Sequence, residues 1–223
     1  MSTTADIYTD YPYNQIFQSN ANKSMFMRLY DMKIYYLNEY NTTALIVGLK
    51  PSRQNLMELI FNLQCFDMGH SIILNRLMLN ELLIDIRKIF NVNINYPHAN
   101  ITTTSNKSIF ISQINTTTYR IETPSNYLIV KEACLMELLN KEIIIYEIAN
   151  NLNYNKQKCE EYFEKILDIC KHKVSNTKYS SKDVMYELIN IPSDIVPKHF
   201  IYDTIMNNID FFLNNLKFSL TQF

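Results

Sequence analysis

Two glycines, Gly48 and Gly69, stand in a chain of 223 residues, and this scarcity limits both the turns and the chemistry the chain can build. Glycine takes positive φ without steric cost. With so little of it, left-handed positions must fall largely to Asn, which tolerates that region better than most residues that carry a Cβ. The chain holds 27 Asn, so Asn is expected to do much of the turn work. The same scarcity excludes phosphate-cradling loops. Walker-type, dinucleotide and kinase-type loops need several closely spaced glycines so that backbone N–H groups can approach phosphate. The two glycines here lie 21 residues apart.

The remaining composition narrows the class. Hydrophobic residues make up 47%, enough for a real core in one large domain or two small ones. With 21 basic against 22 acidic residues, no basic surplus points to a nucleic-acid partner and no polybasic patch to a membrane surface. The first residues are polar and lack an apolar signal core, so no targeting segment is expected. No apolar run is long enough to span a bilayer. The 29 Ile and 27 Asn, beside 2 Gly and no Trp, follow the codons of an AT-rich genome, as in a virus or parasite. Sequons at Asn22, Asn41, Asn100, Asn106 and Asn115 arise by chance in a chain so rich in Asn and Thr, and no glycosylation is expected at them.

Patterning predicts a mainly α fold. Residues 1–23 read as an extended N-terminal arm and 24–223 as a single mainly helical domain with a β-rich segment at 100–130. A helix is expected from Ser24 to about Asn41, a second from Pro51 to a stop at Gly69, and a third over 70–90. The third carries Ile72, Leu79, Leu83, Ile86 and Phe90 on one stripe. The run "TTALIVGL" is either strand or connector. The Thr/Ile/Asn texture that follows predicts a small β-hairpin or sheet insertion near 105–130, with strands near 108–114, 117–122 and 127–131. Helix returns after Lys131, and a later segment stripes Cys159, Phe163, Ile166 and Cys170. Ser180 or Ser181 caps another helix, Pro192 and Pro197 mark a turn, and a last helix covers roughly 198–217.

Candidate chemistry is sparse. "CFDMGH" offers Cys65, Asp67 and His70, and "CKH" offers Cys170 and His172. Without Cys-x-x-Cys or paired His neither makes a zinc pattern, and both read as a thiol beside a histidine. The four histidines carry no hydrolase signature. Glu160 and Glu161, set between lysines, read as a solvated helix face. No catalytic residue, metal site or cofactor is assigned, and the chain is read as a non-enzyme. Cys159 and Cys170 share one helix about 16 Å apart, by the 1.5 Å rise per residue, too far to bond each other. Each can pair with Cys65, Cys134 or a cysteine of another chain, or remain a reduced thiol as in most intracellular proteins.

Tyrosine is the remaining signal. Seven of the 16 fall within the first 40 residues, and Tyr suits interfaces because it brings a large ring with a hydroxyl for a partner. The arm "DIYTDYPYNQIF" holds Tyr8, Tyr11, Tyr13, Ile16 and Phe17. With few aliphatic groups it docks weakly on its own domain, and a neighbouring chain is the simplest surface to hold it. A net charge of −1 leaves little repulsion between copies. Above about pH 11 the 16 Lys lose their charge, leaving 5 Arg against 22 carboxylates, about −17. Full ionisation of 16 Tyr extends this to about −33. A dense solid of such a protein is expected to hold at neutral pH and to dissolve in strong alkali.

This profile of size, Asn/Ile/Tyr bias, tyrosine-bearing arm and scattered cysteines resembles the occlusion-body matrix proteins (polyhedrins) of insect viruses. Within them it looks most like the mainly helical type of the nudiviruses. The match is to whole-chain features and transfers no functional residue by position. It implies a self-assembling structural protein that crystallises around virions in the nucleus of infected cells and dissolves in the alkaline insect midgut. It also implies arm exchange between chains and inter-chain disulfides through Cys65, Cys134, Cys159 and Cys170. The alternative is a helical, non-enzymatic host-interaction module of an AT-rich DNA virus. A Bcl-2-type inhibitor normally shows a Gly-Arg pair, whereas Leu49 follows Gly48 and His70 follows Gly69 here.

Overall fold

The computed structural model describes residues 29–52, 56–91, 108–174 and 180–220. The 1–23 arm, with Tyr8, Tyr11, Tyr13, Ile16 and Phe17, lies outside the described residues. So do the first residues of the helix expected from Ser24. Among the described residues the architecture is mixed α/β: six helices and two small antiparallel sheets, neither closed into a barrel. The expectation of a mainly α fold is corrected, because a whole sheet occupies sequence that reads as helix.

The first sheet is a meander of β1 (Tyr30–Tyr36), β2 (Thr43–Pro51), β3 (Met57–Cys65) and β4 (His70–Leu74), in that order. It replaces the helices expected over 24–41 and 51–69 and the start of the one expected at 70. The reason lies in a period of two. Met57, Leu59, Phe61, Leu63 and Cys65 alternate along β3, and Leu45, Val47 and Leu49 face Leu63, Phe61 and Leu59 across β2. These side chains join the main core. Leu, Met, Glu and Gln favour helices in isolation, but β-pairing and burial on the sheet override that weak preference. Pro51 ends β2 rather than opening a helix, and its partner is Met57. Gly69 takes positive φ, 67°, but in the turn between β3 and β4.

Asparagine does supply turn geometry. Asn41 and Asn91 adopt φ of 55° and 52°. Asn38 accepts from the Thr42 N–H at 2.9 Å in the β1–β2 turn. Asn75 caps the next helix, accepting from the Met78 N–H at 2.9 Å. One further residue, Asp31, has φ 50°. It sits at a bulge in β1, where the register shifts between Tyr30 and Lys33, and its N–H donates to Asp203 Oδ2 at 3.1 Å.

That capped helix, α1 (Arg76–Ile89), buries Leu79, Leu83 and Ile86 as the stripe predicts, whereas Ile72 reaches the core from β4. The second sheet is β5 (Phe110–Asn115), β6 (Thr118–Glu122) and β7 (Tyr127–Lys131), at the predicted positions. Helices α2 (Glu132–Asn140), α3 (Glu142–Val174), α4 (Ser181–Ile189), α5 (Lys198–Asn207) and α6 (Ile209–Leu220) complete the chain. Ser180 closes a capping box with Asp183 at the start of α4. The last expected helix is two, α5 and α6, parted at Asn208, where φ is −133°.

Helices cover one face of the first sheet. Phe163 on α3 lies at the centre, with Phe212 of α6 edge-on at 5.7 Å and Tyr30 of β1 at 6.4 Å. Tyr30 also stacks on Phe200 of α5 at 4.6 Å. Such aromatic pairs each add about 0.5–1.5 kcal/mol beyond their buried area. On the opposite face Leu29, Ile46 and Ile60 form a second cluster with Met32, Ile34 and Phe66. Gly48 lies beneath Leu29. A Cβ there would come 2.7 Å from Leu29 Cβ and 3.0 Å from the Tyr30 carbonyl oxygen.

Candidate functional site

The four cysteines are free and buried. This overturns the disulfides implied by the resemblance. Cys65 ends β3, Cys134 sits in α2, and Cys159 and Cys170 face the core from α3, as their stripe predicts. Burial, more than any other factor, pushes the Cys159 thiol up to about 11, helped by Asp31, Asp203 and Glu160. Burial likewise raises Cys170 to about 12 with help from Glu187. It also raises Cys134, against a hydrogen bond with Thr43. Thiol–disulfide exchange runs through the thiolate. Thiols held neutral inside a core are therefore poor partners for exchange.

The "CFDMGH" stretch forms the β3–β4 turn. Cys65 and His70 face each other across it as a strand pair, and the His70 ring meets Tyr127 edge-on at 5.5 Å. Cys170 is buried while His172 is exposed at the end of α3. Among the described residues no group of three or more His, Cys, Asp or Glu is placed to hold a metal ion. No helix among them is long and apolar enough to cross a membrane.

Glu160 and Glu161 separate. Glu161 is exposed, but Glu160 accepts the Met57 N–H at 2.8 Å and so ties α3 to the first residue of β3. Other polar groups also act between elements, two pairs half-buried and one exposed. Arg87 of α1 pairs with Glu142 of α3, Tyr146 donates to Asn80, and Arg76 bonds Asn150 at 3.0 Å. Burial, reinforced by the Glu142 charge, raises Tyr146 to about 12 against the opposing Arg87 and Arg76. These contacts join α1 to α3.

The second sheet presents a different kind of feature. Its strand order is β5-β6-β7. The β7 side lies against the first sheet, where Asn126 Nδ2 donates to the Ser71 carbonyl at 2.8 Å. Among the described residues the other margin is β5. Ile109 anchors its start in the core and the Ser108 N–H bonds Glu81 at 3.2 Å. Beyond that point every residue of Phe110–Asn115 is exposed except Ile111, which is half-buried. Phe110 is 55% exposed and Ile114 52%. Edge strands usually carry charge, proline or a bulge that discourages pairing. "FISQIN" has no charge and no proline. Its only such device is an irregularity between Gln113 and Asn115, which leaves Phe110–Gln113 in regular register with Tyr119–Glu122.

The face behind this edge is balanced in charge. Arg120 and Glu122 of β6 bond each other at 2.5 Å, and the Arg120 guanidinium lies 4.4 Å from the Tyr127 ring centre. The composition of this stretch marks the strand but not its place at the margin of the sheet. The signal available was the absence of charge and proline from a strand bounded by Asn and Thr.

No protein-family model, no curated protein and no solved structure matches this chain.

Proposed function

We propose that this protein is a structural, non-enzymatic subunit that assembles with copies of itself into a solid matrix. On this reading the matrix is of the kind that occlusion-body proteins of insect viruses form around virions in the nuclei of infected cells. The carrying observation is the distribution of exposed apolar side chains. Phe110 and Ile114 on β5, Tyr154 on α3, Tyr186 on α4, Tyr202 on α5 and Phe218 on α6 are all exposed. They are spread over one strand and four helices, and a three-dimensional solid requires several contacts per subunit. A net charge of −1 supports close approach of like copies. The tyrosine-bearing arm at 1–23 supplies a further connector, exchanged between neighbours.

The reading is tested by turbidity and sedimentation of the purified chain. Particles form at neutral pH and dissolve near pH 11, and deletion of residues 1–20 leaves a folded protein that no longer forms the ordered solid. A wild-type chain that stays monomeric at high concentration and neutral pH refutes the proposal. A truncated chain that builds the same solid removes the arm from it.

A further inference from the structure

We infer that β5 pairs antiparallel, edge to edge, with β5 of a second copy of this chain, about a two-fold axis normal to the second sheet. The inference rests on the self-assembly reading and specifies one of its contacts.

A strand at the margin of a sheet leaves half of its backbone N–H and C=O groups to solvent, a template that another strand satisfies best. An identical strand is a suitable occupant because antiparallel pairing about a two-fold axis is self-complementary. Identical edges also bring identical charges together, so a charged edge repels its own copy. Phe110, Ile111, Ser112, Gln113, Ile114 and Asn115 carry none. Behind them Arg120 and Glu122 are already paired. The exposed Phe110 and Ile114 gain neighbours from the second copy at either end of the paired segment. A six-residue edge falls short of the roughly 1,200 Å² that a stable isolated complex buries. The contact is therefore weak alone and effective when repeated beside others, as a lattice requires.

The test uses full-length chains carrying one added cysteine, at Phe110, Ile111, Ser112, Gln113 or Ile114. Each is oxidised mildly at neutral pH beside the native chain, whose four thiols are buried. In a two-fold antiparallel pair only the residue on the axis meets its own copy, with Cβ atoms about 5 Å apart. A residue two positions away lies about 14 Å from its copy, at 3.4 Å per residue. Covalent dimer is therefore expected to peak at one of Ile111, Ser112 and Gln113, and to fall at least about tenfold at Phe110 and Ile114. Ile114→Lys, with an unchanged circular dichroism spectrum, is expected to raise the concentration needed for assembly at least about tenfold.

Uniform or absent cross-linking across the five positions, while the native chain still assembles, overturns the β5 contact and leaves self-assembly standing. An Ile114→Lys chain that assembles like the native one has the same consequence. A native chain that remains monomeric throughout overturns both.

Discussion

Replacing Tyr30 by Phe is expected to weaken the fold at neutral pH and to strengthen it in alkali. The Thr204 hydroxyl donates to the Phe200 carbonyl at 2.9 Å. Its single hydrogen is thereby committed, so the Tyr30 O–H donates to Thr204 Oγ1 at 3.1 Å. Phe keeps the ring contacts with Phe200 and Phe163 and removes only this bond, a loss of about 1 kcal/mol for a buried neutral pair. Alkali reverses the balance. Burial pushes the Tyr30 hydroxyl well above the ordinary tyrosine value, against the Thr204 hydrogen bond and with help from Asp203 and Cys159. In the unfolded chain a tyrosine ionises near pH 10. Above that pH the unfolded state binds fewer protons than the native one, so stability falls as pH rises. The contribution of neutral Tyr30 is fully present below about pH 10 and is lost toward its folded value, at about 1.4 kcal/mol per pH unit. By pH 11.5 the native chain loses about 2 kcal/mol that Tyr30→Phe does not. The variant is thus about 1 kcal/mol less stable at pH 7 and about 1 kcal/mol more stable at pH 11.5, with the curves crossing near pH 11. Guanidinium unfolding followed by circular dichroism at the two pH values measures both differences. An equal deficit at both refutes the assigned burial of the hydroxyl.

Thr204→Val, which leaves the Tyr30 hydroxyl buried without its acceptor, is expected to cost about 1–3 kcal/mol, more than Tyr30→Phe. Adding Tyr30→Phe to it recovers part of that loss in denaturant unfolding, whereas strictly additive costs refute the pairing. Gly48→Ala is expected to destabilise by about 1–3 kcal/mol, because its methyl group meets Leu29 Cβ at 2.7 Å and the Tyr30 carbonyl oxygen at 3.0 Å. An unchanged midpoint of thermal unfolding contradicts that packing.

Where one periodicity dominated, the sequence was readable. Cys159, Phe163, Ile166 and Cys170 recur at helical spacing and all four are buried along α3. The Thr- and Ile-rich second sheet and the Ser180 cap were legible for similar local reasons. The first sheet was not, because its strands are built from helix-favouring residues. "MELIFNLQC" contains the helix-favouring Met57, Glu58, Leu59, Leu63 and Gln64, yet β3 pairs on both sides, with β2 and β4. Both of its faces carry buried side chains, Phe61 and Leu63 on one and Ile60 and Asn62 on the other. The apolar–polar alternation of Met57–Cys65, broken only at Ile60, was the available sign of that period, outweighed by the helix preference of the same residues. Asn75 was the readable warning, a helix cap five residues inside the stretch taken as continuous helix. The candidate surface was legible only in part: strand 108–114 followed from composition, but its marginal position depends on long-range packing between β7 and β4.

The groups held neutral in the core also bear on how an alkali-soluble solid should come apart. Lysine and tyrosine side chains in general lose their protons near pH 10, and their loss builds mutual repulsion between copies. Inside the fold Tyr146 and Cys170 are raised to about 12 and Cys159 to about 11, with Tyr30 raised as well. With Tyr30 and Tyr146 still neutral, the limiting charge of the 16 tyrosines, 5 Arg and 22 carboxylates is nearer −31 than −33. Each buried group weakens the fold above its unfolded value, about pH 8.5 for a thiol and about pH 10 for a tyrosine. These groups are few beside the 16 Lys and 16 Tyr whose deprotonation charges the copies, so separation of the copies is expected to precede loss of the fold. Turbidity of the particles is expected to clear at a lower pH than the one at which near-ultraviolet circular dichroism is lost, so that released chains are still native. If the two transitions coincide, alkali acts by unfolding the subunit, and the surface charge is not the release mechanism.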